Sequence, residues 1–162
     1  MNEPSAALVN AGLINGWLPL GGQSPNYDAV SGRVNLKRSL ITPEDIKTQL
    51  AGLRDNVEDG TSFTVITPDK YTTLRVTLTW TEPPEVVIQN AFRFWAESQT
   101  DDTISGNGIP ETETDFDNNV LQISIDKLPK GQAVTVHVAL SIHHSEHQLW
   151  SLVWRFFHAS EI

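Results

Sequence analysis

At 162 residues the chain has room for one sizeable domain, or for one domain with an appendage. A formal net charge of −9 sets its surface against phosphate backbones and anionic membranes, which argues against a nucleic-acid binder. Cysteine is absent, so disulfides, thiolate zinc sites and a thiol nucleophile are excluded, and no run of about 18 apolar residues offers a spanning helix.

The first 40 residues differ from the rest. Glu3 and Pro4 stand where a signal peptide would carry basic residues and then an apolar stretch, so no such peptide is expected in this chain. Residues 4–14 read as a short helix, with Pro4 placed early and Asn15-Gly16 as its stop. Residues 19–28 are rich in Gly, Pro and Asn and read as loop. A second short helix is expected over 32–40, capped by Asn35, with Val34, Leu36 and Leu40 buried. Thr42-Pro43-Glu44-Asp45 has the form of a helix start, with a cap, a proline at the first position and acids in the first turn.

From Ser62 onward the pattern is that of strands, expected over 63–67, 73–80, 86–97, 119–126, 133–143 and 148–157. Pro68-Asp69, Pro83-Pro84, Ser105-Gly106-Asn107-Gly108 and Pro129-Lys130-Gly131 supply turns between them. Leu74, Val76, Leu78 and Trp80 share one face of a strand, with Arg75, Thr77 and Thr79 on the other, which implies a sheet with a dry side and a wet side. Val134, Val136, Val138, Leu140 and Ile142 repeat the pattern, as do Trp150, Leu152, Trp154 and Phe156. The expected class is mainly β: an antiparallel β-sandwich of jelly-roll type with a short helical N-terminal segment.

Several groups of residues stand in an order found elsewhere. Asp117-Asn118-Asn119-Val120, Pro129-Lys130-Gly131, and Gln148 leading into Leu149-Trp150-Ser151-Leu152-Val153 are similar to the β-rich domain that follows the catalytic domain in many subtilisin-like serine proteases (subtilases). In that family a helix of the type Pro–Ala–x-x–Val–x-x-x–Leu-Ile-Asn follows the serine-bearing helix. A closure Tyr–Gly–x–Gly-Arg-Val-Asn-Leu and a last helix come after an insertion. Here Pro4, Val9, Leu13-Ile14-Asn15-Gly16, Asn26-Tyr27 and Gly32-Arg33-Val34-Asn35-Leu36 stand in that order, with Val30 or Ser31 replacing the closure's first glycine. The resemblance covers almost the whole chain. It implies a catalytic-domain tail over 1–40, a linker or first strand over 41–61, and a jelly-roll domain over 62–162. It also implies that an early strand begins within 47–57, in conflict with the helix start at Thr42.

What the resemblance implies for function is a non-catalytic C-terminal portion of a serine endopeptidase. The parent, of a mostly secreted family, would hydrolyse peptide bonds through a Ser-His-Asp triad lying upstream. This chain would hold none of the three and would be inactive alone. Its partner would be the catalytic domain, in cis or as a separate chain, which it would stabilise while shaping substrate access. Leu8, Val9, Leu13 and Ile14 would pack against that domain; without it they must bury themselves on the β-domain or face water. At about 25 cal/mol per Å2, leaving a few such side chains in water forfeits several kcal/mol. A missing partner or self-association through these helices is therefore expected.

Candidate chemistry within the chain is sparse, and no catalytic, cofactor-binding or metal residue is assigned. Gly60-Thr61-Ser62 echoes the subtilase Gly-Thr-Ser, but Ser62 leads into strand-like Phe63-Thr64-Val65-Ile66, and a nucleophile needs a base within reach. His143-His144-Ser145-Glu146-His147 reads as a solvated turn, since zinc asks for three or four converging ligands. His137 and His158 suggest no site. Calcium would suit the acidic loops, Asp101-Asp102 with Asn107 and Glu111 to Asp117 with Asn118. Some subtilase β-domains carry a Val-Asn-Asp-Leu-Asp-Leu strand, and both of its carboxylates are replaced here, by Ala91 and Arg93. The alternative function is a free-standing module binding carbohydrate or protein. Trp95 and Phe157, which break the inward alternation, would then lie on an outer face.

Overall fold

The computed structural model describes residues 3–18, 32–82, 90–99, 102–110, 112–142 and 148–161. Three short helices come first: α1 (Ala6–Asn15), α2 (Leu36–Ser39) and α3 (Pro43–Lys47). Eight strands follow: β1 (Ala51–Val57), β2 (Thr61–Ile66), β3 (Tyr71–Trp80), β4 (Ala91–Ser98), β5 (Thr103–Ser105), β6 (Val120–Ile125), β7 (Ala133–Ile142) and β8 (Trp150–His158).

The strands form two four-stranded antiparallel sheets, ordered β1-β8-β3-β6 and β2-β7-β4-β5. The pairs β1·β8, β2·β7, β3·β6 and β4·β5 are those of one long hairpin folded back on itself. Winding that hairpin into two layers adds the pairs β3·β8 and β4·β7. This is the jelly roll, the class the alternating pattern led us to expect.

Alternation decides what fills the space between the sheets. Leu74, Val76, Leu78 and Trp80 of β3 meet Phe92, Phe94 and Ala96 of β4, all buried, with the Trp80 and Phe92 rings 4.8 Å apart. Val134, Val136 and Val138 and the partly buried Leu140 come from β7, and Trp150, Leu152 and Phe156 from β8. Trp154 is partly buried because it lies over Gly52 of the edge strand β1, where a Cβ would fall 2.6 Å from the indole.

The conflict over residues 42–57 resolves in favour of both readings. Thr42 and Asp45 form a reciprocal capping box at the start of α3, which lasts only to Lys47. Gln49 then turns the chain at a positive φ of 57°, and β1 begins at Ala51. The three-residue β5 escaped sequence reading because it is too short to show a period.

Two expectations are overturned. The polar side of β3 is dry: Arg75, Thr77 and Thr79 are as buried as the apolar residues opposite, because α1 lies over β3 and β8. The second helix is turned over: Val34, Leu36 and Leu40 are exposed, while Arg38 and Ser39 are buried. The reason is steric. With α1 occupying the sheet, α2 can pack only against its glycine side, where an added Cβ on Gly16 would lie 2.4 Å from the Ser39 nitrogen.

Residues 19–31, Pro83-Pro84, residues 86–89 of the strand expected over 86–97 and the histidine-rich run 143–147 lie outside the described residues. Asn26-Tyr27, Asp101 and Glu111 do so as well. Leu18 and Arg33, on either side of residues 19–31, pair through two backbone hydrogen bonds.

Gly16→Ala should therefore lower stability by about 1–3 kcal/mol, the usual cost of forcing a methyl into a filled contact. The urea midpoint reads it, and an unchanged midpoint would mean that α2 does not dock as described.

Candidate functional site

Helix α1 is short of polar atoms on every side, and a helix of that kind is normally covered on every side. Ser5 caps it by accepting a hydrogen bond from the Leu8 N–H at 3.0 Å. One stripe, Ala7, Ala11 and Asn15 at intervals of four, faces the sheet and is buried. Small residues let the helix approach closely, and Asn15 supplies the anchor: its amide lies 3.1 Å from each of the Arg75 carbonyl, the Val153 carbonyl and the Thr77 hydroxyl. Arg75 answers by donating to the carbonyls of Asn15 (2.9 Å) and Trp17 (3.1 Å), and Thr79 donates to that of Ala7 (2.6 Å). A cation among the orphan carbonyls at a helix end is favourable both as a hydrogen bond and toward the helix dipole.

The edges are pinned by charge. Asp55 of β1 accepts from the Ser5 hydroxyl and N–H and from the Ser151 hydroxyl. Burial pushes this carboxyl upward, but the bonds from Ser151, Ser5 and Asn56 outweigh it and hold it below the ordinary carboxylate range. Arg155 donates to the carbonyls of Arg38 (3.1 Å) and Leu40 (2.8 Å) and pairs with Asp45 at 3.6 Å. Asp45 likewise lies below its usual range, burial being outweighed by bonds from Thr42 and the charge of Arg155.

Leu8, Val9 and Leu13 are left on the outer side. With Leu36 and Leu40 of α2 and Leu53 of β1 they line an apolar groove of about 200 Å3. Val9 is 46% exposed, Leu53 45%, Leu36 60% and Leu40 64%. A contiguous apolar surface bordered by fixed polar ties is suited to covering by another surface rather than to chemistry.

The sheet β2-β7-β4-β5 carries the other candidates. Register sets Ser62 beside His137 and His137 beside Trp95 across three strands. Ser62 Oγ lies 3.1 Å from His137 Nδ1, His137 Nε2 lies 3.3 Å from Glu97 Oε2, and the Trp95 ring stacks on the imidazole at 4.8 Å and 14°. The base that Ser62 lacked in the sequence is thus supplied from 75 residues away. The trio sits on the outer face with Ser62 and Glu97 exposed, next to the Thr64–Thr135 hydroxyl pair at 2.9 Å. It forms a cross-strand polar network and lines neither the apolar groove nor the arginine-lined pocket beside α2.

Phe157 does not lie on an open face: it is 1% exposed, beneath the N-terminal segment. In the acidic loop the buried Asp115 accepts from the N–H groups of Asp117 and Asn118 and from the amides of Asn107 and Asn118, so its oxygens are occupied in bracing the turn. Among the described residues no three His, Asp or Glu side chains converge as metal ligands, and no helix is long and apolar enough to cross a membrane.

No family model matches this chain, and no curated protein does. Among solved structures, the crystal structure of the Penaeus vannamei nodavirus P-domain is similar over 67% of this chain and 96% of its own, at 16% identity. Its TM-score of 0.29 leaves that likeness without weight for fold or function.

Two outcomes follow from these geometries. Asp55→Asn should cost about 1–2 kcal/mol at pH 7, the scale of lost charge-assisted bonds on a partly solvated group. Because the folded carboxyl is depressed, its contribution is complete above the unfolded value near about 3.9 and lost as pH falls below it. The difference between the urea midpoints of wild type and variant should therefore narrow progressively as pH falls below about 3.9. Ser62, lacking an enclosed site, should remain unlabelled by a fluorophosphonate; labelling that requires His137 would contradict this.

Proposed function

We propose that this chain is the non-catalytic C-terminal portion of a subtilisin-like serine endopeptidase, joined through its N-terminal helices to a catalytic domain that it stabilises. The observation that carries the reading is α1. Its polar contacts fix it to the sheet, while Leu8, Val9 and Leu13, with Leu36 and Leu40 beside them, are left for a second surface. The order of the N-terminal residue groups supports the reading, because in subtilases they belong to the catalytic domain's last helices. The jelly-roll topology agrees with the β-domain that follows. In this role the β-sandwich is a rigid platform and the groove is a seam. Burying the seam removes apolar surface from water and raises the stability of both parts.

The second reading, a free-standing module for carbohydrate or protein, rests on Trp95, half-buried on the outer face and stacked on His137. Phe157 no longer contributes to it. On that reading Trp95→Ala abolishes retention on a glycan or protein array and leaves the urea midpoint nearly unchanged.

The coding sequence immediately upstream of Met1 tests the first reading, and a segment carrying the subtilase serine motif is expected there. Expressed separately, that segment should co-purify with this chain. The double variant Val9→Glu/Leu40→Glu should weaken the association by about 30-fold or more, as expected for charges placed in an apolar seam. Its own urea midpoint should hardly move, since both side chains already face outward. Upstream sequence of another kind, or co-purification indifferent to the double variant, would defeat the reading.

A further inference from the structure

Phe157 lies at the centre of an arginine cluster. The guanidinium carbons of Arg38, Arg75 and Arg155 lie 4.4, 5.2 and 6.0 Å from its ring centroid. Two of the three are engaged. Arg75 donates to backbone carbonyls of α1 and the residues just after it, and Arg155 to those of Arg38 and Leu40 while facing Asp45. Arg38 is different. It is 7% exposed, and among the described residues none of its three guanidinium nitrogens has a hydrogen-bond partner.

A buried guanidinium presents five N–H donors and a charge; the Phe157 ring and Glu161 partly offset the charge, but the donors are left unmet, which is costly in a buried place. Resting on a ring face, it keeps its edge free for acceptors lying in its own plane, the geometry of a carboxylate or phosphate. The surroundings are cationic. Arg38, Arg155, Lys37 and Asn35 line, with Leu18 and Glu161, a pocket of about 300 Å3. That is about ten times one water's share of the liquid. The convergence is notable in a chain whose net charge is −9. Burial lowers the Arg38 pKa, Glu161 partly restores it and Arg155 depresses it further. For Arg75, burial and then the charge of Arg38 bring the value down to about 10. Among the described residues Glu161 is the one acid lining the pocket; it accepts from the His158 N–H at 2.8 Å and makes no bond to Arg38.

We infer that this pocket binds a small oxyanion, a phosphate- or carboxylate-bearing molecule gripped by the Arg38 fork, with Arg155 and Lys37 supplying further positive charge. The site is separate from the apolar seam and does not depend on the function proposed above. Glu161 opposes the ligand's charge and sets a limit on affinity.

The test is thermal unfolding of the whole chain against inorganic phosphate and, separately, acetate, with sodium chloride at matched ionic strength as reference. A saturable rise in Tm beyond the chloride effect is expected. Response to phosphate alone assigns a phosphoryl ligand, and response to both assigns general oxyanion recognition with room for a carboxylate. In Arg38→Met the saturating concentration should rise by about tenfold or more, the scale of one lost charge-assisted fork. Glu161→Gln should lower it by roughly threefold or more, since one screened repulsion is removed. Both Glu161→Gln and Lys37→Ala change exposed side chains, so they decide the matter if Arg38→Met fails to fold. No saturable response to either anion overturns the inference, as does a response that Glu161→Gln and Lys37→Ala leave unaltered.

Discussion

The polar face of β3 is the surface on which everything else in this structure is arranged. A strand with Arg75, Thr77 and Thr79 on one side would ordinarily present that side to water. Here a helix with almost no polar side chains lies across it, so the buried donors find acceptors inside the contact, apart from Arg75 Nε, which has none among the described residues. The carbonyls that a helix leaves unmet at its C-terminal end provide them for Arg75, and the sheet's carbonyls receive Asn15. Because an unmade bond in such a place costs more than a made one contributes, the exchange fixes position more than it adds stability. Sliding α1 by one residue would break it throughout.

The remaining features on that side follow from where α1 lies. Gly12 and Gly16 face α2 and admit the Ser39 backbone, which turns Arg38 inward and Leu36 and Leu40 outward. Arg38, so turned, meets Phe157, and the arginine pocket is the result. The outward leucines join Leu8, Val9 and Leu13 in the groove. A polar interlock beneath the helix and an apolar seam above it are thus two consequences of one placement.

The opposite sheet shows what an uncovered outer face looks like in the same molecule. Ser62, His137, Trp95 and Glu97 bond or stack with one another across strands. Side chains on a pleated surface do this wherever neighbours are complementary. The contrast between the faces places the unusual physics, buried cations and exposed leucines together, on the helical side.

What the residues alone determined is local. Alternation with a period of two settled which side chains of β3, β7 and β8 point into the sandwich, because that period is a property of the extended backbone. The same holds for the Asn35 cap, the Thr42 helix start and the Pro129-Lys130-Gly131 turn, where Gly131 takes a φ of +78°. Periodicity names a stripe, however, and does not say what lies against it. Whether the other side of β3 is wet, whether Leu36 or Arg38 is buried, and whether Phe157 is open were decided only when α1 came to rest on β8 and β3. The same is true of Ser62 and His137, neighbours through strand pairing and not through sequence. Those outcomes depend on contacts between distant segments, and a single sequence carries the free energy of such contacts without displaying their partners.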